Sequence, residues 1–117
     1  MGEHQEEPRP YTDRDRKSQL RKLEELSAQM AAIAAPHDSY LAHLFGARAE
    51  GAARLLSDGF VQSQLNDLGY MYPKPAWLDP RQVDYNGPRE PWQEQIAEIH
   101  HVARKIALEL RGVARFA

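Results

Sequence analysis

The chain contains no cysteine among its 117 residues. This absence excludes a disulfide framework, a thiolate metal site and a cysteine nucleophile, and it is compatible with a reducing compartment. Long apolar runs are missing too, because no segment of the sequence approaches the roughly 20 apolar residues that span a bilayer. The N-terminus also lacks the basic stretch and apolar run of a secretory signal. We therefore expect a soluble cytoplasmic protein that makes no membrane contact.

Motifs for catalysis and for cofactor binding are absent as well. The sequence has no H-E-x-x-H, G-x-S-x-G, P-loop or G-x-G-x-x-G pattern, and its carboxylates are scattered rather than paired for acid–base chemistry. The net charge of −2 argues against a protein dominated by contacts with nucleic acid or with membrane surfaces. These absences favour a protein that is not an enzyme, and they predict no metal and no cofactor.

The composition favours helices over strands. Sixteen residues are alanine, whereas only eight are valine or isoleucine. The chain length fits one domain. The first ten residues carry no large apolar side chain after Met1, so that segment cannot bury enough surface to become ordered. We expect a flexible arm over residues 1–11 and a single helical domain over residues 12–117.

Four segments repeat apolar residues at helical spacing. Thr12 and Asp38 are suitable N-cap residues, and Pro36 and Gly59 are typical of helix ends. Pro91 suits the first position of the last helix. The predicted helices span residues 12–35, 38–57, 60–68 and 91–116.

The sequence thus predicts an all-α fold, a small antiparallel bundle of three main helices and one short helix. We expect the apolar stripe of the last helix to form the spine of the core. Gly46 and Gly51 weaken the second helix, so we expect the last helix to approach closely there. Val102 and Leu108 lie beside the apolar stripe, and they could support a homodimer.

The connection before the last helix is rich in proline and aromatic residues. Residues 70–92 hold five of the eight prolines, three of the five tyrosines and both tryptophans. A connection this long is usually functional or disordered, and its aromatic content argues for an ordered loop. Aromatic residues on a stiff loop resemble binding hot spots, although packing on the core is an equal alternative for the tyrosines and a slightly favoured one for Trp77 and Trp92. The predicted partner-binding residues are Tyr70, Tyr72, Trp77, Asp79, Asp84, Tyr85 and Arg89.

Two other functions have weaker sequence signals. His43 and His100 could join carboxylates in a metal-dependent hydrolase, although their spacing does not demand a metal. A basic group in the first helix could instead contact phosphates as part of a nucleic-acid accessory protein, but neighbouring acidic residues favour an ordinary solvated helix face. That basic group consists of Arg14, Arg16, Lys17, Arg21 and Lys22.

Two short stretches, together with the tryptophan-bearing loop between them, carry a family resemblance. They are the run Leu55-Leu56-Ser57-Asp58-Gly59-Phe60, continued by Leu65, Leu68-Gly69 and Pro73, and the closing Leu110-Arg111-Gly112-Val113. Together they resemble small all-helical bacterial proteins, some of which are immunity partners of secreted toxins. The resemblance implies a non-enzymatic protein-binding module, immunity- or antitoxin-like, that neutralises one protein partner through its aromatic loop. These motifs encode packing, so they transfer no functional residues.

Overall fold

A computed structural model describes residues 9–72 and 90–112 with their side chains, and the backbone of residues 114–115. In these ranges the fold is all-α, as predicted, with three long helices and one short helix. In chain order the elements are β1 (Arg9–Pro10), α1 (Asp13–Ala34), α2 (Ser39–Asp58), α3 (Gln62–Gly69), α4 (Pro91–Arg111) and β2 (Ala114–Arg115).

The predicted starts of the first two helices are confirmed by their caps. The backbone N–H of Asp15 donates to Thr12 Oγ1 and the backbone N–H of Thr12 donates to Asp15 Oδ2, both at 3.0 Å. This reciprocal pair satisfies two of the amides that a helix start leaves unpaired. Asp38 caps α2 by accepting from the backbone N–H of Leu41 at 3.1 Å. Gly59 ends α2 with a φ of 91°, a conformation that glycine adopts without steric cost.

The last helix is shorter than predicted. It ends at Arg111, and Gly112 follows in an extended conformation, so the predicted continuation of the helix to residue 116 is wrong. Ala114 and Arg115 instead form β2, which pairs antiparallel with Arg9 and Pro10 in β1. Glycine has a poor helix propensity and the pairing offers the backbone another set of hydrogen bonds, so the chain leaves the helix at Gly112.

Helix α1 lies at the centre of the bundle. It packs against α2 and against α4, while α3 packs mainly on α4. The core accordingly contains buried side chains from every described helix, including Leu20, Met30, Phe45, Leu65 and Ile96. The sequence-based prediction that the last helix forms the spine is wrong, because the first helix contacts both of its long neighbours.

The predicted contact between α4 and the glycines of α2 is wrong as well. A Cβ atom added to Gly46 would meet no atom within 4 Å, and one added to Gly51 would meet Leu68 Cδ1 of α3 at 3.5 Å. The close approach occurs at Gly69, where a Cβ atom would lie 2.7 Å from the carbonyl oxygen of Ala107 and 2.6 Å from Arg111 Cγ. Gly69 therefore allows the end of α3 to pack directly on α4.

Arg16 ties the start of α1 to the ends of α3 and α4. Its buried guanidinium donates to Gln62 Oε1 at 2.7 Å, to the carbonyl oxygen of Glu109 at 3.0 Å and to the carbonyl oxygen of Gly112. The last two acceptors are carbonyls at the C-terminal end of α4, which a helix leaves without intrahelical partners. Arg16 thus has a structural role, although the sequence grouped it with the exposed basic residues.

Candidate functional site

The structure separates the two predicted binding tyrosines that it describes. Tyr70 is 62% exposed, whereas Tyr72 is 2% exposed and belongs to the core. Tyr72 cannot contact a partner from this position, so we remove it from the candidate binding residues. The other predicted binding residues lie outside the described residues, namely Trp77, Asp79, Asp84, Tyr85 and Arg89.

A tight turn after α3 produces this separation. Tyr70 caps α3 in a helical conformation, the backbone N–H of Met71 donates to the carbonyl oxygen of Leu68, and that of Tyr72 donates to the carbonyl oxygen of Gly69. These two hydrogen bonds hold residues 69–72 in a tight turn. Tyr70 and Met71 remain on the surface, while Tyr72 enters the core.

Tyr72 is held in a buried cluster that joins three elements. Its hydroxyl lies 2.6 Å from Ser27 Oγ of α1, and the guanidinium carbon of Arg48 in α2 lies 5.1 Å from the centroid of its ring. Burial raises the pKa of Tyr72, against the opposing effects of the Ser27 hydrogen bond and the Arg48 charge. Tyr72 therefore stays protonated and anchors the turn to α1.

His100 lies in the same cluster from the side of α4. Its ring centroid is 6.2 Å from that of Tyr72 and 6.3 Å from that of Phe45. Its side chain is buried, and its Nε2 atom has no hydrogen-bond partner among the described residues. Burial, with the positive charges of Arg48 and Arg104, lowers the pKa of His100 to about 4. His100 is therefore neutral at neutral pH.

The structure does not bring together a metal site from the predicted histidines. His43 is exposed on α2, whereas His100 is buried against the rings of Phe45 and Tyr72. No group of three or more histidine, cysteine, aspartate or glutamate side chains within the described ranges is placed to hold a metal ion. The metal-dependent alternative thus has no ligand set in that part of the chain.

The basic residues of α1 do not form one free cationic surface. Arg16 is buried, Lys17 pairs with Asp13 at 3.0 Å, and Lys22 pairs with Glu25 at 3.5 Å. Arg14 and Arg21 are exposed. The acidic neighbours thus offset part of the positive charge, as expected for a solvated helix face.

A surface cavity lies beside the turn that carries Tyr70. It has a volume of about 390 Å³ and is lined by Leu44, Ala47, Arg48, Tyr70 and Met71, which we call the Tyr70 surface. The three residues from α2 share one face of that helix, because they are three and four positions apart. Met71 is 48% exposed. The Tyr70 surface therefore joins one helix face to the end of α3.

Two arginines on or beside the Tyr70 surface lie against aromatic rings. The guanidinium carbon of Arg111 lies 3.9 Å from the ring centroid of Tyr70, and that of Arg48 lies 5.4 Å from the centroid of Phe45. Burial lowers the pKa of Arg48, although arginine remains charged in proteins. Neither arginine forms an ion pair with another described residue.

Sequence reasoning found Tyr70 but missed the rest of this surface. The sequence-based prediction gave no binding role to Leu44, Ala47, Arg48 or Met71. One signal was present in the sequence, because Arg48 has no acidic residue three or four positions away in its helix. Such an arginine lacks the local ion pair that commonly satisfies a charge on a helix surface.

Comparisons of this chain with protein-family models, with curated proteins and with solved structures find no match. Within the ranges that the structure describes, none of the helices combines the length and the apolar character needed to cross a membrane. Val102 and Leu108, which the sequence associated with a homodimer, are both exposed on α4.

Proposed function

We propose that this chain is a non-enzymatic protein-binding module that recognises one protein partner through the Tyr70 surface. The observation that carries the proposal is the exposure of Tyr70 and Met71 at the rim of an apolar cavity that also contains Arg48. Tyrosine, methionine and arginine are enriched at protein interfaces, and tyrosine and arginine are enriched among the residues that dominate binding energy. The partner would insert an apolar side chain into the cavity.

The Tyr70 side chain is held in place before any partner arrives. Arg111 stacks on one face of its ring, and the stem of Arg111 lies close to Gly69. The turn itself is anchored by Tyr72 and Ser27 in the core. A residue ordered in this way loses little conformational entropy on binding, which favours affinity.

The resemblance to toxin-immunity proteins supports a more specific version of the proposal. In that version the partner is a bacterial toxin, and the chain neutralises it in the cytoplasm. The contact surface would then include Tyr70 and the predicted loop residues Trp77, Asp79, Asp84, Tyr85 and Arg89. Once the partner is identified, this version is tested by comparing the growth of cells that express the partner alone with the growth of cells that express the partner and the chain together. The chain should restore growth.

Site-specific photocrosslinking in the native cells tests the binding proposal. A photoreactive phenylalanine analogue replaces Tyr70 in one variant and Val102 in a matched control. Val102 is 44% exposed and, nine residues before Arg111, lies on the opposite side of α4. We expect one protein adduct from position 70 that disappears when Leu44→Asp fills the cavity with a charge. No adduct from position 70, or the same adducts from both positions, would contradict the proposal, and a self-adduct would replace it with homodimerisation.

A further inference from the structure

Three arginines from two helices surround the turn formed by residues 69–72. Arg48 of α2 lies against the ring of Tyr72, and Arg111 of α4 lies against the ring of Tyr70. Arg104 shares the α4 face of Arg111, because seven residues correspond to nearly two full helical turns. Arg48 and Arg104 are both close enough to His100 to act on its charge. The two helices therefore place positive charge on both sides of the turn.

None of the three arginines has an acidic neighbour at helical spacing. Positions three and four residues away from Arg48, Arg104 and Arg111 hold no aspartate or glutamate. Arg54 of α2 provides the contrast, because Glu50 and Asp58 lie four residues before and after it. The ion pairs within the described residues also leave the three arginines out. The charge around the turn is thus not neutralised by these nearby groups.

We infer that the partner presents an acidic segment, in which an apolar side chain enters the cavity and flanking carboxylates contact Arg48, Arg104 and Arg111. This inference rests on the proposed function and specifies the chemistry of the partner. Arginine binds carboxylates strongly because its planar guanidinium donates two parallel hydrogen bonds. A half-buried guanidinium such as that of Arg48 interacts more strongly than one in water, since the local dielectric is lower.

The composition of the cavity favours an acidic protein segment over a nucleic acid. Leu44, Ala47 and Met71 supply apolar surface beside the arginines, which suits an aliphatic or aromatic side chain. Proteins that bind nucleic acid without sequence preference present an extended basic groove with several stacking rings. The described site has one exposed ring, Tyr70, and the whole chain carries a net charge of −2.

Selection from a phage-displayed library of random peptides tests the inference on the intact chain. We expect the selected peptides to pair an apolar residue with aspartate or glutamate. A synthetic peptide of the selected sequence should lose about tenfold in affinity with Arg48→Gln or with Arg104→Gln, but not with the control Arg54→Gln. The affinity of the unmodified chain for the peptide should fall severalfold between about 50 mM and about 300 mM salt. This measurement needs no variant, so it does not depend on whether the variants fold.

The outcomes separate this inference from the function on which it rests. Selected peptides that are neutral or basic, or acidic peptides that bind the Arg48→Gln variant equally well, would overturn the acidic partner. In either case, if Tyr70→Ala abolished binding of the selected peptides, the Tyr70 surface would remain the docking site. If no peptide bound in a Tyr70-dependent manner, the proposed function itself would fail. Displacement of the peptide by a DNA oligonucleotide at equal concentration would overturn the inference in favour of nucleic acid.

Discussion

The hydroxyl groups of Ser27 and Tyr72 lie 2.6 Å apart inside the core, and neither side chain is exposed by more than 2%. This single hydrogen bond joins the middle of α1 to the turn that follows α3. Because Tyr70 and Met71 precede Tyr72 in the same turn, the bond also anchors the turn that carries these two exposed side chains. The position of the candidate site therefore depends on this contact in the core.

Removal of either hydroxyl should destabilise the protein, but by different amounts. Ser27→Ala leaves the buried Tyr72 hydroxyl without a partner and should cost about 1–3 kcal/mol. Tyr72→Phe should cost less, about 1 kcal/mol, because a helical serine can donate instead to the carbonyl four residues earlier. The free energy of unfolding from urea titrations measures both.

The double variant distinguishes a direct bond from two separate defects. Ser27→Ala with Tyr72→Phe should cost clearly less than the sum of the single substitutions, since the second removes the group that the first left unpaired. Strict additivity of the three unfolding free energies would show that the two hydroxyls do not interact.

Gly69 and Gly46 should respond to alanine in opposite directions. A Cβ atom at Gly69 would collide with the backbone carbonyl of Ala107, which cannot move without shifting α4. Gly69→Ala should therefore destabilise the fold by about 1–3 kcal/mol. Gly46→Ala meets open space inside a helix and should stabilise the fold by about 0.5–1 kcal/mol. Thermal unfolding of the two variants checks this, and a shift of the same sign in both would contradict the described packing.

Much of this fold could be predicted from the sequence, because its local signals agree with one another. Thr12, Asp38 and Gly59 mark helix ends through interactions within a few residues, so these boundaries were predicted correctly. By contrast, which helices pack against one another depends on contacts between residues that are distant in the sequence. The sequence places Gly46 within a predicted helix and Gly69 just after one, but it reveals neither the open space at Gly46 nor the close packing of Gly69 on α4.

The buried His100 should make stability depend on pH. Burial lowers the pKa of His100 from about 6.5 to about 4, so the unfolded chain binds more protons between those values. Stability should therefore be complete above about pH 6.5 and fall as the pH drops toward 4, by about 3 kcal/mol in total from this group. Urea unfolding at successive pH values measures the slope.

Two substitutions separate the contribution of His100 to the pH dependence of stability from the contribution of the carboxylates. His100→Leu keeps a similar volume and removes the buried Nε2 atom, which has no partner in the part of the chain that the structure describes, so it should flatten the decline between pH 6.5 and 4. The adjacent His101 is exposed, and His101→Gln should leave the decline in place. An unchanged pH profile in His100→Leu would exclude His100 as its source.

Arg16 should contribute strongly to stability despite its position among exposed basic residues. Arg16→Met removes the side-chain donor to the carbonyls of Glu109 and Gly112, of which Glu109 keeps the backbone N–H of Gly112, and it should cost about 2–3 kcal/mol. Arg16→Lys should not restore the loss, because an ammonium group cannot span the same acceptors. The exposed Arg14 serves as the control, and Arg14→Met should change the unfolding free energy by less than about 0.5 kcal/mol. Equal effects at both positions would rule out the bridging role.

The candidate site was only partly predictable for a related reason. Tyr70 and Tyr72 are two residues apart with similar neighbours, and only the turn after Gly69 decides which ring is exposed. Arg48 was overlooked because its significance depends on lying beside a turn more than 20 residues later in the chain. Patterns within one helix cannot reveal such a juxtaposition.

The most direct test of the binding role is the dissociation constant of the complex with the crosslinked partner, measured with purified proteins. We expect Tyr70→Ala to raise the dissociation constant at least about thirtyfold, equivalent to about 2 kcal/mol, as for other hot-spot tyrosines. Met71→Ala should raise the dissociation constant less. Val102 is about as exposed as Met71 but lies on the far side of α4, so Val102→Ala should change the dissociation constant by less than about twofold. Dissociation constants that are equal for the Tyr70 and Val102 variants would contradict the assignment of the Tyr70 surface as the docking site.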